Sequence, residues 1–119
     1  MDNREKGILG EDVASKFVER NGFRLLTRNY RKKWGEIDII AMKDDGLHFF
    51  EVKSVTDKRR RPEENVHSFK MKQIRKMVQT YLAETGRGTE SQFHFHVLCV
   101  FMDMEKRRAS VKWIKNVIL

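Results

Sequence analysis

The sequence predicts a single α/β domain in which three strands follow a first helix and two more strands follow a second helix. Three observations carry that reading. Two segments repeat apolar residues at helical spacing, two apolar runs at 37–42 and 47–52 flank the turn-forming Asp44-Asp45-Gly46, and a near-continuous apolar run fills 93–102. With 119 residues, 39% of them hydrophobic, the chain is expected to form one domain over residues 1–119 with its own core.

Taken in order, residues 3–21 place Leu9, Val13, Ala14, Phe17 and Val18 on one helical face, and Asn21-Gly22 supplies a left-handed stop. Glu11 falls at the edge of that stripe. Residues 23–30 read as a first strand, and Arg28 to Lys33 as a basic loop beside an exposed aromatic pair, Tyr30 and Trp34, that could stack on a base. The central hairpin follows. Residues 54–65 hold Lys58-Arg59-Arg60-Arg61 and the only proline, with no hydrophobic periodicity, and read as a basic loop. From 66 to 84, Met71, Ile74, Met77, Val78, Tyr81 and Leu82 make a second helical stripe bordered by Lys70 and Gln73. The run 93–102 fits a buried strand and 110–119 a last one.

The hairpin carries carboxylates inside runs that otherwise look buried. Side chains alternate along a strand, so Asp38 faces an odd-numbered residue across an even-loop hairpin. A four-residue loop at 43–46 sets it opposite Glu51, whereas a turn at Asp45-Gly46 alone sets it opposite Lys53 with Glu51 diagonal. Both registers put Asp38, Glu51 and Lys53 on one face, close enough for one hard cation between the acids. Glu36 shares the parity of Asp38 and is expected to pair with a nearby arginine.

An acid on one strand followed by Glu51-Val52-Lys53 on the next resembles the PD-(D/E)xK nuclease superfamily, with Ile37 standing at the proline of that name. The blocks G-x-x-G-E (Gly7 to Glu11), G-F-R-L-L-T-R-N-Y-R, G-E-I-D-I-I-A and F-F-E-V-K are similar to the uncharacterised bacterial YraN-like family, which in turn resembles archaeal Holliday-junction resolvases. The resemblance implies a restriction-endonuclease-like αβββαβ core, a central mixed sheet flanked by helices, with an extra C-terminal strand. It implies a Mg²⁺- or Mn²⁺-dependent endonuclease acting on DNA, branched or structured DNA included, and leaving a 5′-phosphate. Asp38, Glu51, the carbonyl of Val52 and Glu11 would hold the ion, and Asp38, Glu51 and Lys53 would be the catalytic set.

Charge fits a nucleic-acid partner. The formal net charge is +8, and the stretches 21–43 and 54–76 hold six and eight Lys/Arg against two and three acids, bracketing the acidic hairpin. Arg28, Arg31, Lys32, Lys33, Arg59, Arg60, Arg61, Lys70 and Gln73 are the candidate nucleic-acid contacts. Cys99, the one cysteine, lies in an apolar run, which points to a reducing compartment. With no apolar stretch of membrane-spanning length and no signal-peptide pattern, the expected location is the cytoplasm, away from membranes. His94 and His96 share a strand face, but zinc needs more ligands than these, so they are read as structural. Two readings compete with a nuclease: a nucleic-acid-binding module on the same fold, and a metal-free site whose acids are neutralised by Lys53 and arginines. A symmetric cut of two strands would call for a homodimer.

Overall fold

A computed structural model describes residues 2–44, 46–56, 68–88 and 91–119, with the side chains of 68 and 69 left aside. The order is α1 (Asn3–Arg20), β1 (Arg24–Lys32), β2 (Gly35–Lys43), β3 (Gly46–Val55), α2 (Ser68–Glu84), β4 (Phe93–Asp103) and β5 (Arg108–Ile114). All five strands form one sheet in the order β1-β2-β3-β4-β5. β3 and β4 run parallel and the other neighbours antiparallel, so the sheet is mixed and the αβββαβ order with an extra C-terminal strand is present. Among the described residues, no helix is long and apolar enough to cross a membrane.

Each element has a local cause. Asp2 caps α1, its carboxylate accepting from the Glu5 N–H at 2.8 Å. The helix stops at Gly22, whose φ of +88° suits a residue without Cβ, and the Phe23 N–H reaches back to the Val18 carbonyl at 3.2 Å. Apolar residues fill a layer on each side of the sheet. Ala14, Val18 and Phe23 pack with Ile39, Ala41, Phe50, Leu98 and Val100 under α1. On the other side Ile74, Met77, Val78 and Leu82 of α2 pack with Ile40, Phe49, Phe95 and Val97.

Gly10 decides how close α1 comes. A Cβ there would lie 1.8 Å from Ser54 Oγ and 2.8 Å from Ser54 Cβ. Only glycine lets the helix touch β3 at this point, and the next residue along the helix is Glu11.

Two strands and one side chain differ from the sequence reading. β1 continues through Lys32 because Tyr30, Arg31 and Lys32 pair with Ile37, Glu36 and Gly35, so the basic segment 28–32 is strand and the turn is only Lys33-Trp34. Tyr30 is not exposed with Trp34: its ring meets Tyr81 edge-on at 5.2 Å and packs on the α2 layer. The last strand starts at Arg108 and ends at Ile114, after which the Val117 N–H bonds the Phe95 carbonyl at 2.8 Å.

Candidate metal and nucleic-acid site

The site lies where the sheet forks. β2 and β3 pair from Lys43↔Gly46 to Ile39↔Phe50, the register that continues to Asp38 opposite Glu51. Beyond Phe50 the partners change: β2 stays with β1 down to Gly35, and β3 stays with β4 up to Val55. Backbone groups facing the fork therefore lose their ladder partners and need others. Asp38 answers one of them, its Oδ2 accepting the Val52 N–H at 2.7 Å. The N–H and C=O of a strand residue leave on the same side, so the Val52 carbonyl faces the fork as well.

The pleat is irregular here. Ile39 and Ala41 pack in the α1 layer and Ile40 in the α2 layer, yet Ile37 packs in the α2 layer too. Alternation thus slips at Asp38. Across the β1–β2 ladder, Asn29 takes a left-handed φ of 55°, uncommon for a strand residue. Its amide lies 3.1 and 3.2 Å from the two carboxylate oxygens of Glu11 and donates to them with the nitrogen turned inward.

Both helical layers reach the fork. From α1, Glu11 brings an oxygen within 4.8 Å of ligand atoms on Glu36 and Asp38, and the three carboxylates form a group that could hold a metal ion. From α2, the Lys70 ammonium bonds Oε1 of Glu51, and Lys53 Nζ lies 3.6 Å from the same oxygen. A cleft of about 620 Å³ takes in Glu11, Asn29, Glu36, Asp38, Glu51 and Lys53. A smaller recess of about 180 Å³ beside it is lined by Lys70, Gln73 and Met77.

The electrostatics are those of a site short of positive charge. Asp38 is 9% exposed, and burial pushes its carboxyl up to about 7, assisted by Glu36, Glu51 and Glu11 and opposed by the Val52 N–H. Lys53 is lowered, first by burial and then by the neighbouring Lys70, while Glu51 and Asp38 act the other way. Burial also works against the charge of Lys70, but its bonds to Glu51 and Lys53 outweigh that and leave it raised. Oε2 of Glu51 is buried and finds no hydrogen-bond partner among the described residues. A carboxylate oxygen left in that condition is costly, and a hard cation is the partner it suits. The residues present therefore fit a divalent ion.

Asp38, Glu51, Val52, Lys53, Glu11 and Lys70, the last expected as a nucleic-acid contact, line one cleft, and Gln73 lines the adjoining recess; the expected ligand Glu51 lies outside the close group of Glu11, Glu36 and Asp38. Glu36 is nearer than expected: it pairs with Arg31 at 2.6 Å and also belongs to the acidic group. Arg28 turns to α1, 3.0 Å from Asp12 and 3.8 Å from Glu11, and Lys32 pairs with Glu84 at 2.5 Å. Lys33 is exposed in the β1–β2 turn. Arg59, Arg60 and Arg61 lie outside the described residues. Nothing in the sequence pattern marks Asn29 except that asparagine is a poor strand former placed within a strand. His48 was missed as well. It sits beside His94 on β4, and its Nδ1 lies 2.8 Å from His96 Nε2, so the histidines form a stacked row of three across β3 and β4.

A five-stranded mixed α/β domain with an acid-lined fork is the class these features define. A model of the family described as "Uncharacterised protein family UPF0102" matches residues 10–100, and the chain belongs to that family. It is 41% identical over 98 residues to a UPF0102 protein of Campylobacter jejuni subsp. doylei, covering 82% of this chain and 85% of that one. A UPF0102 protein of Moorella thermoacetica is 34% identical over 117 residues, covering 98% and 97%. Among solved structures, the chain is similar to Pyrococcus furiosus SfsA in complex with Ca²⁺, with a TM-score of 0.45 and 18% identity over 99% of this chain and 66% of that one.

Proposed function

We propose that the protein is a Mg²⁺- or Mn²⁺-dependent endonuclease acting on DNA, with branched or structured DNA as its target. The observation that carries this reading is the pair of acids at the fork, Asp38 buried and raised by that burial, Glu51 half-buried with one orphaned oxygen, beside a lysine whose charge burial disfavours. Glu11, Glu36 and Asp38 would hold the ion, joined by Glu51 Oε2 and the Val52 carbonyl. Held there, such an ion would supply charge to neutralise a phosphodiester and would acidify water.

The chain's own residues supply the rest. Lys53, with its ammonium disfavoured, is suited to take a proton from the attacking water as that oxygen bonds to phosphorus. The bond from phosphorus to the 3′ oxygen then breaks, leaving a 5′-phosphate, and solvent protonates the leaving oxygen. Lys70 balances Glu51 and faces the incoming phosphate. Asn29 fixes the Glu11 carboxylate from the β1 side.

One contact favours the binding-module alternative: Lys70 already occupies Oε1 of Glu51, which lowers the charge left for a metal. Labelled single-stranded, duplex, flap and four-way-junction DNA, each incubated with Mg²⁺, Mn²⁺ or chelator, decides between the two. Cleavage that needs the ion and vanishes in Asp38→Asn supports the nuclease. Binding without cleavage on all four substrates in Mn²⁺ would leave the module.

A further inference from the structure

Trp34 stands out on the surface beside the fork. Among the described residues it is the one aromatic among the exposed large apolar side chains, at 40% exposure. It occupies the two-residue turn between β1 and β2 with Lys33, and Lys76 of α2 places its ammonium 5.0 Å from the centre of the indole ring.

The cation over it belongs to a row. Lys70, Gln73 and Lys76 follow one another at three-residue spacing along α2, so they form a ridge on the helix surface. Its first member bonds Glu51 in the acidic fork, its second lines the recess beside it, and its third lies on Trp34. Six residues of helix rise about 9 Å. A strand stacked in duplex advances about 3.4 Å per nucleotide and an unpaired one further, so the ridge spans at most about three nucleotides.

We infer that this ridge and Trp34 form a track for an unpaired DNA strand, with Trp34 stacking on a base within about three nucleotides of the phosphate held at the acids. The inference rests on the nuclease reading for which phosphate sits at the fork, and adds the substrate class: DNA with a single-stranded segment next to the site. Lysines along the ridge match the phosphate charges, and an indole carrying a cation offers a stacking surface beside a phosphate contact. A paired base is already stacked within its duplex, so this contact is available only to an unpaired one.

The test measures binding by fluorescence anisotropy in Ca²⁺, using a labelled duplex with a single-stranded overhang, the same duplex blunt, and an overhang with abasic sites at successive positions. Trp34→Ala is expected to weaken the overhang complex by about 5- to 150-fold, the range for losing one base–aromatic stack. Blunt-duplex affinity should change less than twofold, and Trp34→Phe should retain most of the overhang affinity. One abasic position should reproduce the loss and show no further effect of Trp34→Ala. Equal losses on blunt and overhang DNA, an unchanged overhang affinity, or no DNA binding by the wild type would each overturn the track. Thermal melting of each variant separates a lost contact from a lost fold. Cleavage by the wild type with no dependence on Trp34 defeats the track and leaves the nuclease standing, whereas Trp34-dependent binding without any cleavage does the reverse.

Discussion

Lys53 and Lys70 converge on one oxygen of Glu51, Lys70 bonded to it and Lys53 at 3.6 Å, while the other oxygen of that carboxylate is left to the fork. Two lysines so close shift in opposite directions, Lys53 down and Lys70 up. The one with the weakened hold on its proton is the candidate base, and the other is a fixed charge.

Lys53→Ala should therefore lower single-turnover cleavage by roughly 10²–10⁴-fold while leaving Mn²⁺ and DNA affinity near wild type. Lys70→Ala should instead tighten metal binding, because it frees Glu51 Oε1, and weaken DNA binding. Titration calorimetry beside rapid-quench kinetics reads both effects. Equal loss of rate and of metal affinity in Lys53→Ala would remove it from the chemistry.

The acids are separable by the same calorimetry. Asp38→Asn should abolish Mn²⁺ binding, since Asp38 stands between the Glu11–Glu36 side and the Glu51 side. Glu36→Gln and Glu51→Gln should each weaken it without abolishing it. Arg31→Ala should strengthen it modestly by releasing Glu36 from a competing cation. Unchanged affinity in Asp38→Asn would place the ion elsewhere.

Asp38 also makes metal-free stability depend on pH. Its folded value, about 7, lies above the ordinary 3.8, so between those values the native state holds the proton that the unfolded chain has released. Stability must then fall as pH rises from about 4 to 7, by an amount on the order of a few kcal/mol. Added Mg²⁺ or Mn²⁺ should restore stability most strongly above pH 7, where the ion no longer competes with a proton. Urea denaturation of Asp38→Asn in chelator should show the slope largely gone and higher stability at pH 8 than the wild type. A wild type that gains stability from pH 4 to 7 in chelator would contradict the burial of this acid.

Gly10→Ala tests the approach of α1. The added carbon would meet Ser54 Oγ and Cβ, so the helix must back away, at a cost of about 1–3 kcal/mol. Because Glu11 follows, Mn²⁺ affinity should fall too, and Ser54→Gly in the same chain should recover part of both. Wild-type stability in Gly10→Ala would show that the contact yields without moving the helix.

Much of this site was legible before the structure. The register expected from a loop at 43–46 is the one observed from Lys43↔Gly46 to Ile39↔Phe50, and it points Asp38 toward Glu51, although the alternation behind that expectation slips at Asp38 itself. What stayed hidden depends on contacts across the sheet. Tyr30 reads as exposed because its neighbours are basic, and only the packing of α2 covers it. Glu36 satisfies Arg31 and the acidic group at once, which residue parity cannot reveal. His48 meets His94 only through the parallel β3–β4 pairing, and Asn29 enters through a backbone conformation that composition does not announce.

That parallel pairing also orders events in time. Asp38, Glu51 and Lys53 lie on a hairpin closed by a short turn, but Leu47 must find Phe93 far along the chain before β4 joins. Local hairpins close in microseconds, whereas distant pairings carry the loop-closure cost that slows folding. Substitutions of Val97 or Leu98 should consequently speed unfolding more than they slow folding, with φ-values near zero, while Ile40→Val should slow folding itself. The acids and the lysine would thus be gathered early, as a charged hairpin with no helix yet over it, and the nascent chain would carry its unshielded carboxylates until Glu11 and Lys70 arrive from the two helices.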